Sequence, residues 1–229
     1  MPWAAPVCQP RLQQWVDTSR RWLARALWPS NCILCGGAGD ADIDLCRDCA
    51  ADLPRNEPPC APPFSSSFVP FRYAYPLDHL VRGLKYRNEL ACGRVLGQLF
   101  VKRLLERRAP LPEAIIPVPL APGRYRQRGY NQATELALPI RRATGLALRS
   151  DIAIRQRETI EQAGLDRKAR LRNVTGAFAA IAPLHARHVA ILDDVVTTGS
   201  TARELAQVLR QAGAEHIEVW AIARTEATG

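Results

Sequence analysis

The sequence has no long hydrophobic run, and no stretch approaches the roughly 20 apolar residues that a membrane-spanning helix needs. Its first residues also lack a basic segment followed by an apolar core, so we expect no secretory signal peptide. Both absences favour a cytoplasmic protein without stable membrane insertion. Hydrophobic residues make up 47% and charged residues 23% of the 229 positions, which is ordinary for a soluble globular protein. This composition does not predict which oligomeric state the protein adopts.

Lysine and histidine are scarce. Three of the 31 basic residues are Lys and the rest are Arg, and none of the four His has a convincing catalytic context. The basic residues are concentrated in 72–172, which holds 21 Arg and Lys against nine Asp and Glu. Guanidinium groups suit phosphate and pyrophosphate oxygens and also nucleic-acid backbones. A general compositional preference for Arg explains part of the excess of Arg over Lys. It does not explain why the basic residues are concentrated in one third of the chain.

The most informative segment begins at His188. The apolar run Val189–Leu192 predicts a short strand, 188–193, buried on both faces of a parallel sheet, with Asp193 and Asp194 where it ends. Small polar residues follow, and then a helix over 202–212 that Gly213 ends, with Ser200 or Thr201 as its N-cap. Loop amides and the positive end of that helix would converge on an anion.

A phosphate at this helix start and a sugar beside it explain the segment best, because paired carboxylates suit vicinal sugar hydroxyls. An ordinary strand–loop–helix unit explains neither the adjacent acids nor the loop composition. A further strand over 216–223 would complete a right-handed parallel unit.

A second anion site is predicted after another strand. Ala114–Leu120 reads as a short buried strand that Pro117 and Pro119 confine to its end or to an edge. The turn over 121–132 contains Gly and Arg, and a helix begins at about Gln132. A solvated basic turn is the alternative interpretation. Two helices, over 75–84 and 90–105, precede this strand.

Two Cys-x-x-Cys pairs occupy the N-terminal part. Ten residues separate them, and four thiolates at this spacing close a tetrahedral structural zinc site. Disulfides are the alternative, which a cytosolic chain disfavours. The predicted zinc ligands are Cys32, Cys35, Cys46 and Cys49, whereas Cys8, Cys60 and Cys92 have no assigned role.

The domain organisation follows from composition. Residues 1–29 carry an amphipathic helical pattern, which favours a helix packed on its own protein over one on a membrane surface. The zinc ribbon spans 30–53, and a Pro- and Ser-rich linker spans 54–70. The main domain is predicted over 71–229.

The run Val189–Thr201 resembles the signature of type I phosphoribosyltransferases, which bind 5-phosphoribosyl 1-pyrophosphate (PRPP). The order of the motifs resembles that of the ComF-like competence-associated proteins, which join a zinc ribbon to such a domain. The resemblance also rests on Leu84–Tyr86, Pro117–Leu120 and Arg128–Gln132. It implies an α/β fold of the type I phosphoribosyltransferase class, with a parallel sheet and flanking helices, and a small N-terminal zinc ribbon.

The resemblance also assigns roles within the site. Asp193 and Asp194 would be the catalytic pair that contacts the ribose hydroxyls, with Mg²⁺ bound together with PRPP. The remaining PRPP-binding residues would be Val195, Val196, Thr197, Thr198, Gly199, Ser200 and Thr201. The pyrophosphate would be bound by Lys85, Leu120, Arg124, Arg128 and Asn131. A lid loop that closes over the substrate would contain Arg155, Arg157, Thr159 and Gln162.

Two functions remain open at this point. The first is phosphoribosyl transfer to an unknown acceptor, for which the sequence supplies no visible general base. The second is a catalytically silent PRPP-sensing module that binds single-stranded DNA, with DNA-processing or competence proteins as partners. Many ComF-like proteins carry a second set of cysteine pairs where this chain has only Cys60, so one zinc ion is expected.

Overall fold

The structure is a computed structural model and describes residues 30–40, 42–57, 66–157 and 174–225. The chain divides into two compact units, Met1–Ala50 and Ala51–Gly229. The helix predicted over 1–29, together with Cys8 and Cys60, lies outside the described residues. None of the described helices has the length and apolar content of a membrane span.

Helices and strands alternate along most of the second unit. The described helices are α1 (Arg47–Ala51), α2 (Leu77–Tyr86), α3 (Leu90–Leu105), α4 (Pro122–Arg128), α5 (Gln132–Thr144) and α6 (Ser200–Gln211). The described strands are β1 (Ser67–Phe68), β2 (Phe71–Arg72), β3 (Ala114–Pro117), β4 (Ala147–Leu148), β5 (Ala153–Arg155), β6 (Phe178–Ala180), β7 (His188–Val196) and β8 (His216–Arg224).

The main sheet has the strand order β1-β8-β7-β3-β4, and β2 also pairs with β8. Every pairing in it is parallel. Strands β5 and β6 form a separate antiparallel pair. The parallel sheet with flanking helices confirms the predicted α/β fold class.

Apolar residues cover both faces of the central strands. Ile191 of β7 pairs with Val219, and it belongs to the same buried cluster as Leu205 and Leu209 of α6. The next pair, Leu192 and Trp220, points to the opposite face because strand side chains alternate. There the ring of Phe100 from α3 lies 5.6 Å from that of Trp220. Helices therefore pack on both faces, and ligand access is left to the strand ends.

Strand β7 is longer than the sequence analysis predicted. It continues through Val196, so Asp193 and Asp194 lie within the strand rather than where it ends. Val195 and Val196 still pair with β8, at Ala223 and Arg224. Two β-branched residues after the acidic pair favour an extended backbone, which accounts for the extra length.

The Pro- and Ser-rich range 54–70 also contributes to the fold. Strand β1 lies inside it and pairs with β8 at Val219 and Trp220. Asn56 is buried and donates from Nδ2 to the carbonyl of Val69 at 2.8 Å. Ser67 and Phe68 of this range therefore belong to the main sheet.

Candidate functional site

A cleft of about 370 Å³ opens at the carboxyl ends of the parallel strands. Ligands bind at this edge in open α/β sheets because loops and helix N-termini converge there. The cleft is lined by most of the residues predicted for the site: Lys85, Leu120, Arg124, Arg128, Asn131, Arg155, Asp193, Asp194, Val195, Val196, Thr197, Gly199, Ser200 and Thr201. Thr198 and Arg157 are not among the lining residues, and Thr159 and Gln162 lie outside the described residues.

The acidic pair of β7 is held by short local contacts. The backbone N–H of Asp194 donates to Oδ1 of Asp193 at 2.8 Å, and that of Val195 donates to Oδ1 of Asp194 at 2.6 Å. Lys85, from the last turn of α2, places Nζ 2.9 Å from Oδ2 of Asp194. A cation from a distant segment thus reaches one member of the pair.

Burial and a neighbouring negative charge shift the pKa of Asp193, the other member of the pair. Burial, together with the neighbouring charge of Asp194, raises the pKa of Asp193 to about 7, although Lys85 and Arg155 act in the opposite direction. For Lys85, burial favours the neutral amine, but attraction by Asp194 and Asp193 prevails and raises its pKa. Lys85 is therefore charged at neutral pH, while Asp193 titrates close to it.

The loop after β7 turns sharply at Gly199. Its φ of 72° is left-handed, a conformation that glycine adopts without steric cost. Gly199 is also the N-cap of α6, so the prediction of Ser200 or Thr201 at that position is wrong. The hydroxyl of Thr198 accepts from the N–H of Ser200 at 3.4 Å and donates to its hydroxyl at 3.2 Å. Thr198 thus shapes the loop while its neighbours line the cleft.

The basic side of the cleft is a helix rather than the predicted turn. Residues 122–128 form α4, which begins with Pro122 at a favourable first position and ends at Gly129 with φ 77°. One helix thereby presents Arg124 and Arg128 to the cleft. Arg126 is exposed and is not among the lining residues.

Asn131 holds the backbone between α4 and α5. Its Oδ1 accepts from the N–H of Ala133 at 3.0 Å, which makes Asn131 the N-cap of this helix. Its Nδ2 donates to the carbonyl of Val118 at 3.0 Å. Both polar groups of the side chain are therefore engaged by the protein, so Asn131 positions the loop.

The two described residues of the predicted lid differ in their surroundings. Arg155 lies in β5, is 8% exposed, and stacks over Phe178 with 5.4 Å to the ring centroid. Burial and the nearby charge of Arg124 lower its pKa. Arg157 donates to the carbonyl of Thr175 at 2.6 Å. Arg155 is thus a strand residue in the cleft wall, which corrects its placement in a loop.

Eight lining residues were absent from the predicted site: Tyr73, Tyr86, Val118, Pro119, Gln132, Ala133, Ala202 and Thr225. Tyr73, Tyr86 and Gln132 all face the cleft. The Arg128 guanidinium lies over the ring of Tyr86 at 5.5 Å. Tyr86 and Gln132 belong to the motifs on which the family resemblance rests. Their side chains are neutral, however, so no pattern of charge indicated that they bind an anion.

The four cysteines of the first unit form a separate centre. Their Sγ atoms all lie within 4.8 Å of one another, and those of Cys35 and Cys46 are 3.8 Å apart. Zinc–sulfur bonds of about 2.3 Å at tetrahedral angles place sulfurs about 3.8 Å apart, whereas a disulfide needs about 2.05 Å. The residues therefore fit a structural zinc ion, and the described cysteines are free of disulfides.

The thiols of this centre differ in pKa: hydrogen bonds among the cysteine side chains raise the pKa of Cys49 and of Cys35, whereas the pKa of Cys32 is lowered. Burial acts to raise the pKa of Cys32, but backbone N–H groups of Cys46, Cys35 and Leu34 outweigh it and lower the value to about 6. A thiolate is the form that binds zinc. The geometry and this thiolate support the predicted zinc ribbon.

Comparisons with known proteins extend over both units. The family model of the double zinc ribbon domain matches residues 23–63. DNA utilization protein YhgH of Escherichia coli O6:H1 is 35% identical over 204 residues, which cover 85% of this chain and 90% of that protein. Competence protein F of Haemophilus influenzae is 34% identical over 206 residues, with 83% and 90% covered.

Among solved structures, the chain is similar to glutamine phosphoribosylpyrophosphate (PRPP) amidotransferase from B. subtilis. The identity is 20%, the TM-score is 0.39, and the match covers 58% of this chain and 27% of that chain. The family is established by the two curated relatives, whose similarity includes both the zinc ribbon and the α/β unit. The chain therefore belongs to the family of DNA utilization protein YhgH and competence protein F, the ComF-like proteins.

Proposed function

We propose that the protein binds PRPP in the cleft and acts as a phosphoribosyltransferase-family protein of the ComF type. The observation that carries the proposal is the convergence of three kinds of group on one cleft. These are the carboxylate pair of β7, the loop at the start of α6, and the cations Lys85, Arg124 and Arg128. They match a sugar, a monophosphate and a pyrophosphate in chemistry.

Each part of PRPP has a corresponding group of residues in the wall of the cleft. The ribose hydroxyls donate to Asp193 and Asp194. The 5-phosphate lies against residues 197–201, where backbone amides and the positive end of α6 favour an anion. The 1-pyrophosphate extends toward the arginines of α4 and toward Lys85.

Mg²⁺ accompanies PRPP in this proposal, and oxygen donors are the ligands that it prefers. The adjacent carboxylates of Asp193 and Asp194 and the oxygens of PRPP fit that preference. When bound, Mg²⁺ neutralises charge on the pyrophosphate. The arginines of α4 and Lys85 serve the same end from the protein side, by stabilising the negative charge on the leaving group.

In a transfer reaction, a nitrogen of an acceptor attacks C1 of the ribose while the bond from C1 to the pyrophosphate oxygen breaks. The electron pair of that bond leaves with the pyrophosphate, and the proton that the acceptor nitrogen loses passes to water. Asp193 and Asp194 hold the sugar and stabilise positive charge that develops at C1. The acceptor itself is unassigned.

The role in DNA utilization or competence comes from the names of the relatives. We propose that this chain serves the same process in the cytoplasm, where PRPP is available. A second candidate, a catalytically silent module that binds single-stranded DNA, is favoured by the excess of 21 basic over nine acidic residues in 72–172. Steep weakening of DNA binding with salt, and its loss in Arg124→Ala/Arg126→Ala/Arg128→Ala, would support the module.

Calorimetric titration with PRPP and Mg²⁺ tests the central proposal. The wild type is expected to bind saturably, and Asp193→Asn/Asp194→Asn to lose binding at least about 100-fold, since each substitution removes a charged acceptor. Asp151→Asn, which changes an exposed carboxylate outside the cleft, serves as the matched control. Absence of binding to zinc-loaded, folded wild type would refute the proposal. Release of pyrophosphate with a candidate acceptor then separates enzyme from silent sensor.

A further inference from the structure

One buried donor in the cleft wall has no partner. Gln132, the first residue of α5, lines the cleft and is 4% exposed. Its Nε2 atom makes no hydrogen bond with any of the described residues. A buried donor in this condition disfavours the folded state, so natural proteins rarely retain one without a function.

The neighbours of Gln132 are engaged by the protein. Asn131 uses its side chain on Ala133 and Val118, and the hydroxyl of Tyr130 donates to the carbonyl of Leu84. These bonds fix the backbone on the N-terminal side of Gln132. The amide donor of Gln132, by contrast, is buried and makes no hydrogen bond within the described part of the chain.

The surroundings of Gln132 favour an anionic acceptor. Helix α5 has 13 residues, so its N-terminus carries a substantial positive end. Arg124 and Arg128 line the same cleft. The loop 197–201 and α6 supply a different helix start, on a different strand end. The cleft thus has two helix N-termini, and Gln132 belongs to the one on the arginine side.

We propose that Gln132 is a specificity-determining residue, which donates from its amide to a pyrophosphate oxygen and so distinguishes sugar pyrophosphates from sugar monophosphates. This inference rests on the proposed PRPP binding. A neutral donor adds a directed hydrogen bond without adding to the repulsion among Lys85, Arg124 and Arg128. Ribose 5-phosphate, whose phosphate lies at α6, forgoes this bond.

Gln132→Met tests the assignment, because Met has a similar size and no donor. We expect the affinity for PRPP and for Mg²⁺-pyrophosphate to fall about tenfold to a hundredfold in calorimetry, as for a lost hydrogen bond to a charged acceptor. The affinity for ribose 5-phosphate should stay unchanged. The melting temperature of the ligand-free protein should rise, since the unsatisfied donor is gone. A merely structural glutamine would give the opposite change in melting temperature.

Two further variants keep the outcome interpretable. Gln132→Glu retains the side-chain length if the Met variant fails to fold, and it should also lose pyrophosphate affinity selectively. Gln127→Met changes an exposed residue of α4 that does not line the cleft, and should alter neither affinity. Unchanged pyrophosphate affinity in the Gln132 variants, or an equal loss for ribose 5-phosphate, would overturn the inference while leaving PRPP binding intact. Failure of the wild type to bind PRPP would instead remove the proposed function, and this inference with it.

Discussion

Two carboxylate groups at opposite ends of the main sheet meet very different surroundings. Near the amino end of β8, Glu218 accepts two bonds from Arg107, at 2.6 and 2.9 Å, and one from Trp220 Nε1 at 2.9 Å. Its Oε1 also lies 3.2 Å from His188 Nε2. Near the carboxyl end of β7, Asp193 accepts the N–H of Asp194 and faces a second negative charge.

The pKa values record this difference. Burial acts to raise the pKa of Glu218, but the bonds from Arg107 and Trp220 prevail and lower it. Burial and Asp194 instead raise the pKa of Asp193 to about 7. A carboxylate that stabilises a fold is surrounded by donors, whereas one that serves a ligand is left short of them. At the cleft end of the sheet, the charged form of a buried carboxylate is thus less stabilised than at the amino end.

The largest effect is expected at the Glu218 end. Arg107→Met should leave the buried carboxylate without its cation and lower the free energy of unfolding by about 3 kcal/mol. Chemical denaturation measures it, with Arg108→Met, an exposed neighbour on the same segment, as the control. A loss below about 1 kcal/mol would contradict the structural role of the pair.

Asp193→Asn should change the free energy of unfolding in the opposite direction to Arg107→Met. The folded-state pKa of Asp193 lies above its unfolded value, so the folded protein holds the proton more tightly and stability declines as pH rises from about 4 to about 7. The variant lacks this decline and should be more stable than the wild type by at least about 1 kcal/mol at pH 8. Denaturation curves at pH 5 and pH 8 compare the two proteins. If the free energy of unfolding depended equally on pH in the wild type and in the variant, the contrast between Asp193 and Glu218 would be contradicted.

The smallest effect is expected for an exposed carboxylate. Asp151 accepts from Arg149 at 2.8 and 3.0 Å in solvent. Because water screens this pair, Asp151→Asn should cost no more than about 0.5 kcal/mol by the same denaturation measurement. A larger cost would mean that pairing alone, without burial, explains the stability assigned to Glu218.

Local patterns predicted much of this site. The unit from β7 to α6 followed from an apolar run, an acidic pair and a glycine that ends a helix, all signals within 25 neighbouring residues, 189–213. Helix α4 also had local signals, since Pro122 favours a helix start and Gly129 a helix end. The segment was nevertheless predicted as a basic turn because of its arginines. The pair Lys85–Asp194 and the cluster around Glu218 join segments far apart in sequence, and no local periodicity encodes such contacts.

The hydroxyl of Tyr130 donates to the carbonyl of Leu84 and so joins α2, which carries Lys85 in its last turn, to the segment between α4 and α5. Cations on these elements repel one another, so a neutral bond that joins them keeps the positive charge of the cleft concentrated before any ligand arrives. A concentrated charge in a cleft attracts anions over distances near the Debye length of about 10 Å. The consequence is kinetic: anionic ligands should associate rapidly at low ionic strength and markedly more slowly as salt is added.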